Sequence, residues 1–221
     1  MARIARVVAP GLPHHVTQRG NRRQETFFCE EDFQAYLNLM SEWCSRLNVE
    51  VWAYCLMPNH APLIAVPESE GSLRRAIGEV HRRYTRRVNF REGWRGHLWQ
   101  GRFASYLMDE KYLLVCARYI EMNPVRAHLV TEPGEWPWSS ASAHISGHDD
   151  KLVKVTPLLE ITGDKWEDFL RVAIGEEEVV EMRRHEKTGR PLGSERFVES
   201  IENMLGRILK LKKAGRKPKV K

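Results

Sequence analysis

From Glu31 to Leu47 the apolar side chains Phe33, Tyr36, Leu37, Met40, Trp43, Cys44 and Leu47 recur at three- and four-residue intervals, the period of one helical face. A second such face runs through Ser72 to Val88, carried by Leu73, Ala76, Ile77, Val80, Tyr84 and Val88. A third helix is predicted over Glu110 to Met122, with Asp109 placed to cap it. Between these lie short runs rich in β-formers: His14 to Gln18 after the breaker Pro-Gly-Leu-Pro, Val49 to Met57, Leu63 to Val66, and Phe103 to Met108. Pro58 and Asn59 fall at or near a hairpin turn between the second and third of them. The order strand, helix, strand, strand, helix, strand, helix predicts an α+β fold, a ferredoxin-like antiparallel sheet with helices packed on one face.

Beyond Val130 the periodicity weakens. EWPWSS (Glu135 to Ser140) reads as an ordered loop that packs its tryptophans, and Lys165 to Val172 and Glu176 to Arg184 read as short helices. Ser194 to Leu211 is a stronger helix, capped by Ser194 after the breaker GRPLG. Three regions are therefore expected: a main domain over residues 1–145, a small helical extension over 146–206 and a basic, disordered tail over 207–221. The tail holds eight lysines and arginines and no acid, so it is expected to be electrostatically sticky.

A chain of 221 residues with 42% apolar positions can bury a core without disulfides. Cys29, Cys44, Cys55 and Cys116 have no metal-ligand spacing and are expected to be buried thiols in a reducing cytoplasm. The opening MARIARVVAPG has no apolar run long enough for a signal peptide, and no stretch approaches a membrane span, so a cytoplasmic protein without a membrane partner is expected. The formal charge of +6 suggests a polyanionic partner. Distribution says more than the total. Arg19, Arg22 and Arg23 crowd a glycine-containing turn, and Arg74, Arg75, Arg82, Arg83, Arg86 and Arg87 crowd the polar side of the second helix, diluted only by Glu79. That side is either a solvated face or part of one continuous basic surface with the first turn, Arg102 and the tail.

Candidate chemistry concentrates in RYIEMNPVRA, Arg118 to Ala127. Tyr119 and Asn123, four residues apart, project from one helical face, and Pro124 is expected to end the helix. His60 and position 62 share a face of the strand expected opposite; two histidines there would clamp a metal, but position 62 is proline. Tyr106 and Tyr112 are rival phenols. Tyr106 lies on a strand, and Tyr112 has no amide one turn on before a helix stop. His14 and His15 are open to two readings, structural or nucleic-acid contact. Trp94, Trp99, His97 and Gln100 are available by type for base stacking and base or phosphate contacts, or for packing a loop.

Five blocks carry a specific resemblance: HVTQRGNRR (15–23), AYCLMPNH (53–60), GHLWQGRF (96–103), RYIEMNPVRA (118–127) and WPWSS (136–140). In this order they resemble the single-tyrosine HUH transposases, in particular the REP-associated tyrosine branch of the IS200-like superfamily, over about residues 10–145; GRPLGSERF (189–197) adds a weaker likeness. The resemblance implies an HUH endonuclease type of ferredoxin-like sheet and a single-strand endonuclease and strand transferase acting on hairpin DNA. It implies that Tyr119 is a nucleophile forming a 5′-phosphotyrosine. A free phenol loses its proton only near pH ~10 and so needs help. In the family that help is Mg²⁺ or Mn²⁺, held here by His60 and Asn123, with Pro62 where a second histidine belongs. Metal binding is expected to be weakened and cleavage impaired.

By the same reading DNA contacts are expected from Arg19, Arg22, Arg23, Arg75, Arg82, Arg83, Arg86, His97, Gln100 and Arg102, and from Lys212, Lys213, Arg216 and Lys217 in the tail, where GRKPK (215–219) loosely resembles a minor-groove hook. Single-stranded or hairpin DNA is the expected partner, and a homodimer is a candidate assembly. Two alternatives stay open. One is a DNA-binding protein whose nuclease site has decayed, favoured by Pro62. The other is an RNA-binding ferredoxin-like module, which would need stacking aromatics on an open sheet face.

Overall fold

The structure, a computed structural model, describes residues 4–163 and 165–210. Its centre is a sheet of β1 (His14–Arg19), β2 (Val49–Tyr54), β3 (His60–Pro67) and β4 (Ala104–Leu107), in the order β2-β3-β1-β4 with every pairing antiparallel. Helix α1 (Glu30–Arg46) joins β1 to β2, α2 (Ser72–Glu92) joins β3 to β4, and α3 (Glu110–Glu121) follows β4. This is the ferredoxin-like arrangement expected from the order of periodic segments.

Alternation along β3 feeds two cores. Ala61, Leu63 and Ala65 join Val16, Val51 and the apolar faces of α1 and α2, among them Tyr36, Met40, Ile77, Val80 and Tyr84. Ile64 points the other way and joins Ala53, Tyr106 and the Val115, Cys116 and Ile120 side chains of α3. Helices α1 and α2 thus share one face as expected, and the second face is covered as well. Strand β2 departs from simple alternation. A register shift between Val51 and Ala53 lets Val51 and Tyr54 face α1 and α2 while Ala53 and Cys55 face α3. With both faces covered, and Tyr106 fully buried, the sheet offers no platform for stacking bases, which removes the basis of the RNA-module reading.

An ion pair fastens α1 to α2. Asp32 is fully buried and accepts from both Arg91 guanidinium nitrogens, at 2.5 and 2.9 Å, and from the Phe28 N–H at 3.0 Å. Burial alone would raise its pKa, but the bonds from Arg91 and Phe28 outweigh it and hold the carboxyl below its ordinary range. A depressed carboxyl contributes stability that is full above the unfolded value of about 4 and is lost as pH falls through the lower folded value. Chemical denaturation between pH 2 and pH 5 is therefore expected to show a steeper acid loss in the native chain than in Asp32→Asn. Parallel pH profiles would refute this.

Two helix ends differ from the expectation. Helix α2 runs one turn past Val88 to Gly93, whose φ of 66° closes it. Pro124 does not stop the helical course at Asn123. Helix α3 ends at Glu121, and α4 (Asn123–Arg126) begins beyond Met122 with proline in its first turn, where its missing N–H costs nothing. The chain after residue 130 forms α5 (Ala141–Ser146), α6 (Thr156–Thr162), α7 (Trp166–Arg171), α8 (Glu176–Thr188) and α9 (Glu195–Leu205). The first two, of six and seven residues, were not expected from the sequence. Helix α9 is capped by Ser194 as expected, its Oγ accepting from the Phe197 N–H at 3.2 Å, and ends at Gly206, short of Leu211.

Helices α6, α7 and α8 complete the core of the second sheet face through Leu158, Trp166, Leu170 and Met182, joined by Leu192, while Ile201 of α9 packs in a third cluster with Val7, Ala9 and Leu107. The WPWSS turn runs along the outer edge of β2: the Leu56 N–H donates to Trp138 O at 2.7 Å and the Ser140 N–H to Tyr54 O at 3.0 Å, while Trp138 stacks on Phe33. Cys44, Cys55 and Cys116 are buried thiols as expected, and burial pushes Cys44 up to about 12; Cys29 is exposed at the start of α1, contrary to expectation, because it precedes the helix in an extended turn. Among the described residues no helix is long and apolar enough to cross a membrane.

Candidate active site

Pro58 and Asn59 form the hairpin turn between β2 and β3, closed by reciprocal bonds between Met57 and His60 at 2.9 and 3.2 Å. His60 therefore opens β3. It lies opposite Arg19, the last residue of β1, on the face that α3 covers, and its Nδ1 is held by Asn59 Oδ1 at 2.8 Å. Two residues on, Pro62 sits opposite Thr17 inside the sheet. The strand tolerates it by giving up one bond of a pair: the Cys55 N–H still donates to Pro62 O at 3.1 Å, and proline has no N–H to return.

Tyr119 and Asn123 come to this face from α3 and the first residue of α4. Tyr119 is half-buried against the second core, and the Arg126 guanidinium lies 4.2 Å from its ring centroid. Asn123 is only 7% exposed, and its Nδ2 is buried with no partner. Beneath them His15 and Tyr106 meet edge to face across β1 and β4, at 5.0 Å between centroids. Both His15 ring nitrogens and the Tyr106 hydroxyl are also buried without partners. From α8, Glu186 reaches Arg19 at 3.5 Å.

The electrostatics follow from this crowding. Burial, then the charges of Arg19, His15 and Arg126, lower His60 to about 3, so its ring is neutral at neutral pH. Burial lowers His15 to about 3 likewise and raises Tyr106 well above the ordinary phenol range. Tyr106 is thus a poor nucleophile as well as an inaccessible one. Tyr112 sits in the first turn of α3 and serves its cap, its N–H donating to Asp109 Oδ1 at 3.1 Å. His14 is structural: it is fully buried, bonded to Leu12 O at 2.8 Å, and accepts from the Ala9 N–H at 3.3 Å.

The Mg²⁺ or Mn²⁺ that the resemblance implies would find two donor side chains, His60 and Asn123, with a prolyl ring at the third position. Hard divalent cations favour oxygen ligands, usually including a carboxylate. Here the nearby carboxylate, Glu186, is engaged by Arg19, and two guanidiniums act on His60. Among the described residues no group of three or more His, Cys, Asp or Glu side chains converges. These residues do not fit a dedicated divalent-cation site.

Around this centre Arg19, Arg22, Arg23, His97 and Gln100 lie at one end of the sheet. Arg22 and Arg23 sit in an exposed turn after β1 at φ of 53° and 63°, and the 97–101 loop is pinned to it, the Asn21 N–H donating to Leu98 O and the Gln100 N–H to Arg19 O, both at 2.8 Å. Trp99, expected to be available for stacking, is instead buried in the first core against Tyr36 and Tyr84. Arg75, Arg82, Arg83 and Arg86 lie on the outer side of α2, with the sheet between them and Tyr119. Arg82 and Arg83 are moreover paired with Glu79, and Arg83 lies over Trp43. Arg102 borders a groove with Arg6, Arg207 and Arg74 of α2, and Arg74 also lines the neighbouring hollow with Arg75, Arg82 and Arg83. Lys212, Lys213, Arg216, Lys217 and the GRKPK segment lie outside the described residues.

Sequence reasoning passed over three contributors. Arg126 stood inside the RYIEMNPVRA block and could have been found by its spacing of seven from Tyr119. Glu186 had no sequence signal, because α8 meets β1 only in three dimensions. Glu121, two residues from both Tyr119 and Asn123, is fully buried; its carboxylate accepts from Ser140 Oγ at 2.5 Å, His144 Nδ1 at 2.8 Å and Trp166 Nε1 at 2.7 Å. It ties the end of α3 to the WPWSS turn, α5 and α7.

Comparison with known proteins places the fold. A Haemophilus influenzae protein named, by assignment, a REP-associated tyrosine transposase is 29% identical over 108 residues, covering 44% of this chain; the chain spans 61% of that relative's length. The solved structure of a REP-associated tyrosine transposase bound to a REP hairpin superposes with a TM-score of 0.57 at 20% identity, covering 70% of this chain and 92% of that one, which shows a shared fold. The family model for the IS200-like transposases matches residues 10–123, just over half of the sequence. The chain belongs to the IS200-like transposase family.

Proposed function

We propose that the protein is a transposase-type single-strand DNA endonuclease and strand transferase that binds hairpin DNA and works through Tyr119, with turnover impaired at Pro62. The observation that carries this reading is the approach of Arg126 to both the Tyr119 ring and His60 on the α3 side of the sheet, with Arg19 opposite His60 and Asn123 one helical turn beyond Tyr119. The solved relative of like fold is bound to a REP hairpin, which supports DNA of that kind as the partner. In the proposed step Tyr119 Oη attacks a backbone phosphorus, the bond from phosphorus to the 3′ oxygen breaks, and a 5′-phosphotyrosine forms. The phenolic proton passes to water, and the leaving 3′ oxygen takes a proton from solvent to become a hydroxyl. Energy conserved in the ester allows a second 3′-hydroxyl to reverse the step.

The test is a denaturing gel of the protein incubated with hairpin DNA carrying a single-stranded flank, in Mg²⁺ or Mn²⁺. A slow, Tyr119-dependent adduct is expected, absent from Tyr119→Phe. The second reading, a binder whose nuclease site has decayed, rests on Pro62 and the shortage of metal donors; hairpin binding with no adduct in any divalent ion would establish it in place of the first.

A further inference from the structure

The groups that meet around His60 are donors and cations in excess of acceptors. Arg126 extends over the Tyr119 ring and, among the described residues, has no carboxylate within ion-pair distance. Arg19 lies across the strand pair from His60 and is only loosely neutralised by Glu186 at 3.5 Å, with both side chains partly exposed. The Asn123 amide nitrogen, more than nine-tenths buried, has two protons and nothing to give them to, and the Tyr106 hydroxyl below is fully buried and unpartnered. A buried donor left unpaired is costly, so a native chain that carries such donors is suited to a ligand that accepts from them. A cation cannot do so. Phosphate oxygens can, and a planar guanidinium fork is matched to them.

Resting on the proposed function, we infer that this site binds a backbone phosphate of its nucleic acid directly, through the Arg126 and Arg19 guanidiniums and the Asn123 amide, where the family resemblance places a divalent cation. The chain thereby keeps the positioning of a phosphate against Tyr119 while the imidazole pair is broken by Pro62. Binding of DNA at this point is metal-independent, and the site's charge is supplied by side chains.

The test uses the full chain and a labelled hairpin oligonucleotide, with and without a single-stranded flank, at fixed salt, in excess EDTA and in Mg²⁺. Equal affinity for the flanked hairpin in the two buffers, within twofold, is expected. Arg126→Gln is expected to weaken the flanked hairpin at least tenfold and the flankless one little, with Arg126→Lys intermediate because it keeps the charge and loses the fork. Inorganic phosphate should compete with the flank in the native chain and not in Arg126→Gln, which separates a backbone phosphate from a general taste for free phosphate. Asn123→Asp, nearly isosteric, should lose affinity in EDTA and recover it in Mn²⁺, because an added carboxylate repels phosphate and supplies a metal donor. Affinity that requires a divalent ion, or an Arg126→Gln protein indistinguishable from native, overturns the inference and leaves the proposed function standing. Failure of the native chain to bind either hairpin overturns the proposed function itself. Because Arg126 is exposed, its substitution leaves the fold intact, which a thermal melt checks.

Discussion

Pro62→His is expected to raise the yield of Tyr119-linked DNA in Mn²⁺ by at least about tenfold over the native chain, since even outer-shell partners of metal ligands are worth roughly 10- to 100-fold. Position 62 faces α3 on the same side of β3 as His60, two residues away, so a second imidazole there adds to the first without any change of register. The substitution also restores an N–H opposite Cys55, whose own N–H already donates to the carbonyl of residue 62. That bond contributes about 1 kcal/mol. The larger ring enters a buried position and costs about 1–3 kcal/mol in overpacking, so the variant should be slightly less stable and more active. The Arg19 and Arg126 charges remain, which caps the gain below that of a site with no cations beside the metal. Quantified adduct on a denaturing gel decides the matter. A Pro62→His protein no faster than native in Mn²⁺ would show that the missing histidine does not limit cleavage.

Glu121→Ala is expected to destabilise the protein by about 3–5 kcal/mol, the cost of breaking a buried charged network from one side. The substitution leaves Ser140 Oγ, His144 Nδ1 and Trp166 Nε1 without their shared acceptor, and His144 already has an unpartnered Nε2. His144 and Trp166 stack at 4.2 Å, so the loss propagates into the packing of α5 on α7. Because Glu121 is the last residue of α3, the same change loosens the turn that sets Asn123 and Arg126 against Tyr119. Urea denaturation of native and variant chains measures the effect, and a difference under about 1 kcal/mol would mean the network relaxes onto water.

The long helices were legible because each buries one face and so must repeat its apolar residues near a period of 3.6, and the strands, covered on both faces, were legible as runs of β-formers bounded by turn residues. Helices α1, α2 and α3 and the hairpin at Pro58 and Asn59 followed from those patterns. The short helices α5 and α6 and the register shift in β2 near Trp52 escaped the sequence reading, the shift because it depends on how β2 pairs with β3 rather than on β2 alone. Trp99 shows the limit for single residues: an aromatic in a glycine-punctuated loop has the same sequence appearance whether it stacks on a ligand or, as here, fills the core beside Tyr84.

By itself the sequence determined the order of elements, the candidate nucleophile with its amide one turn on, and the proline at position 62 two residues beyond His60 on the same strand face. These are local facts, fixed by spacing along one strand or one helix. Tertiary structure decided the company those residues keep. It set Arg126 on the Tyr119 ring, brought Glu186 from α8 to Arg19, closed the buried carboxylate network behind the site, and placed the α2 arginines on the far side of the sheet. Charges and donors act over ångströms in space, and residues distant along the chain reach that range only when the sheet and its two covering layers are assembled.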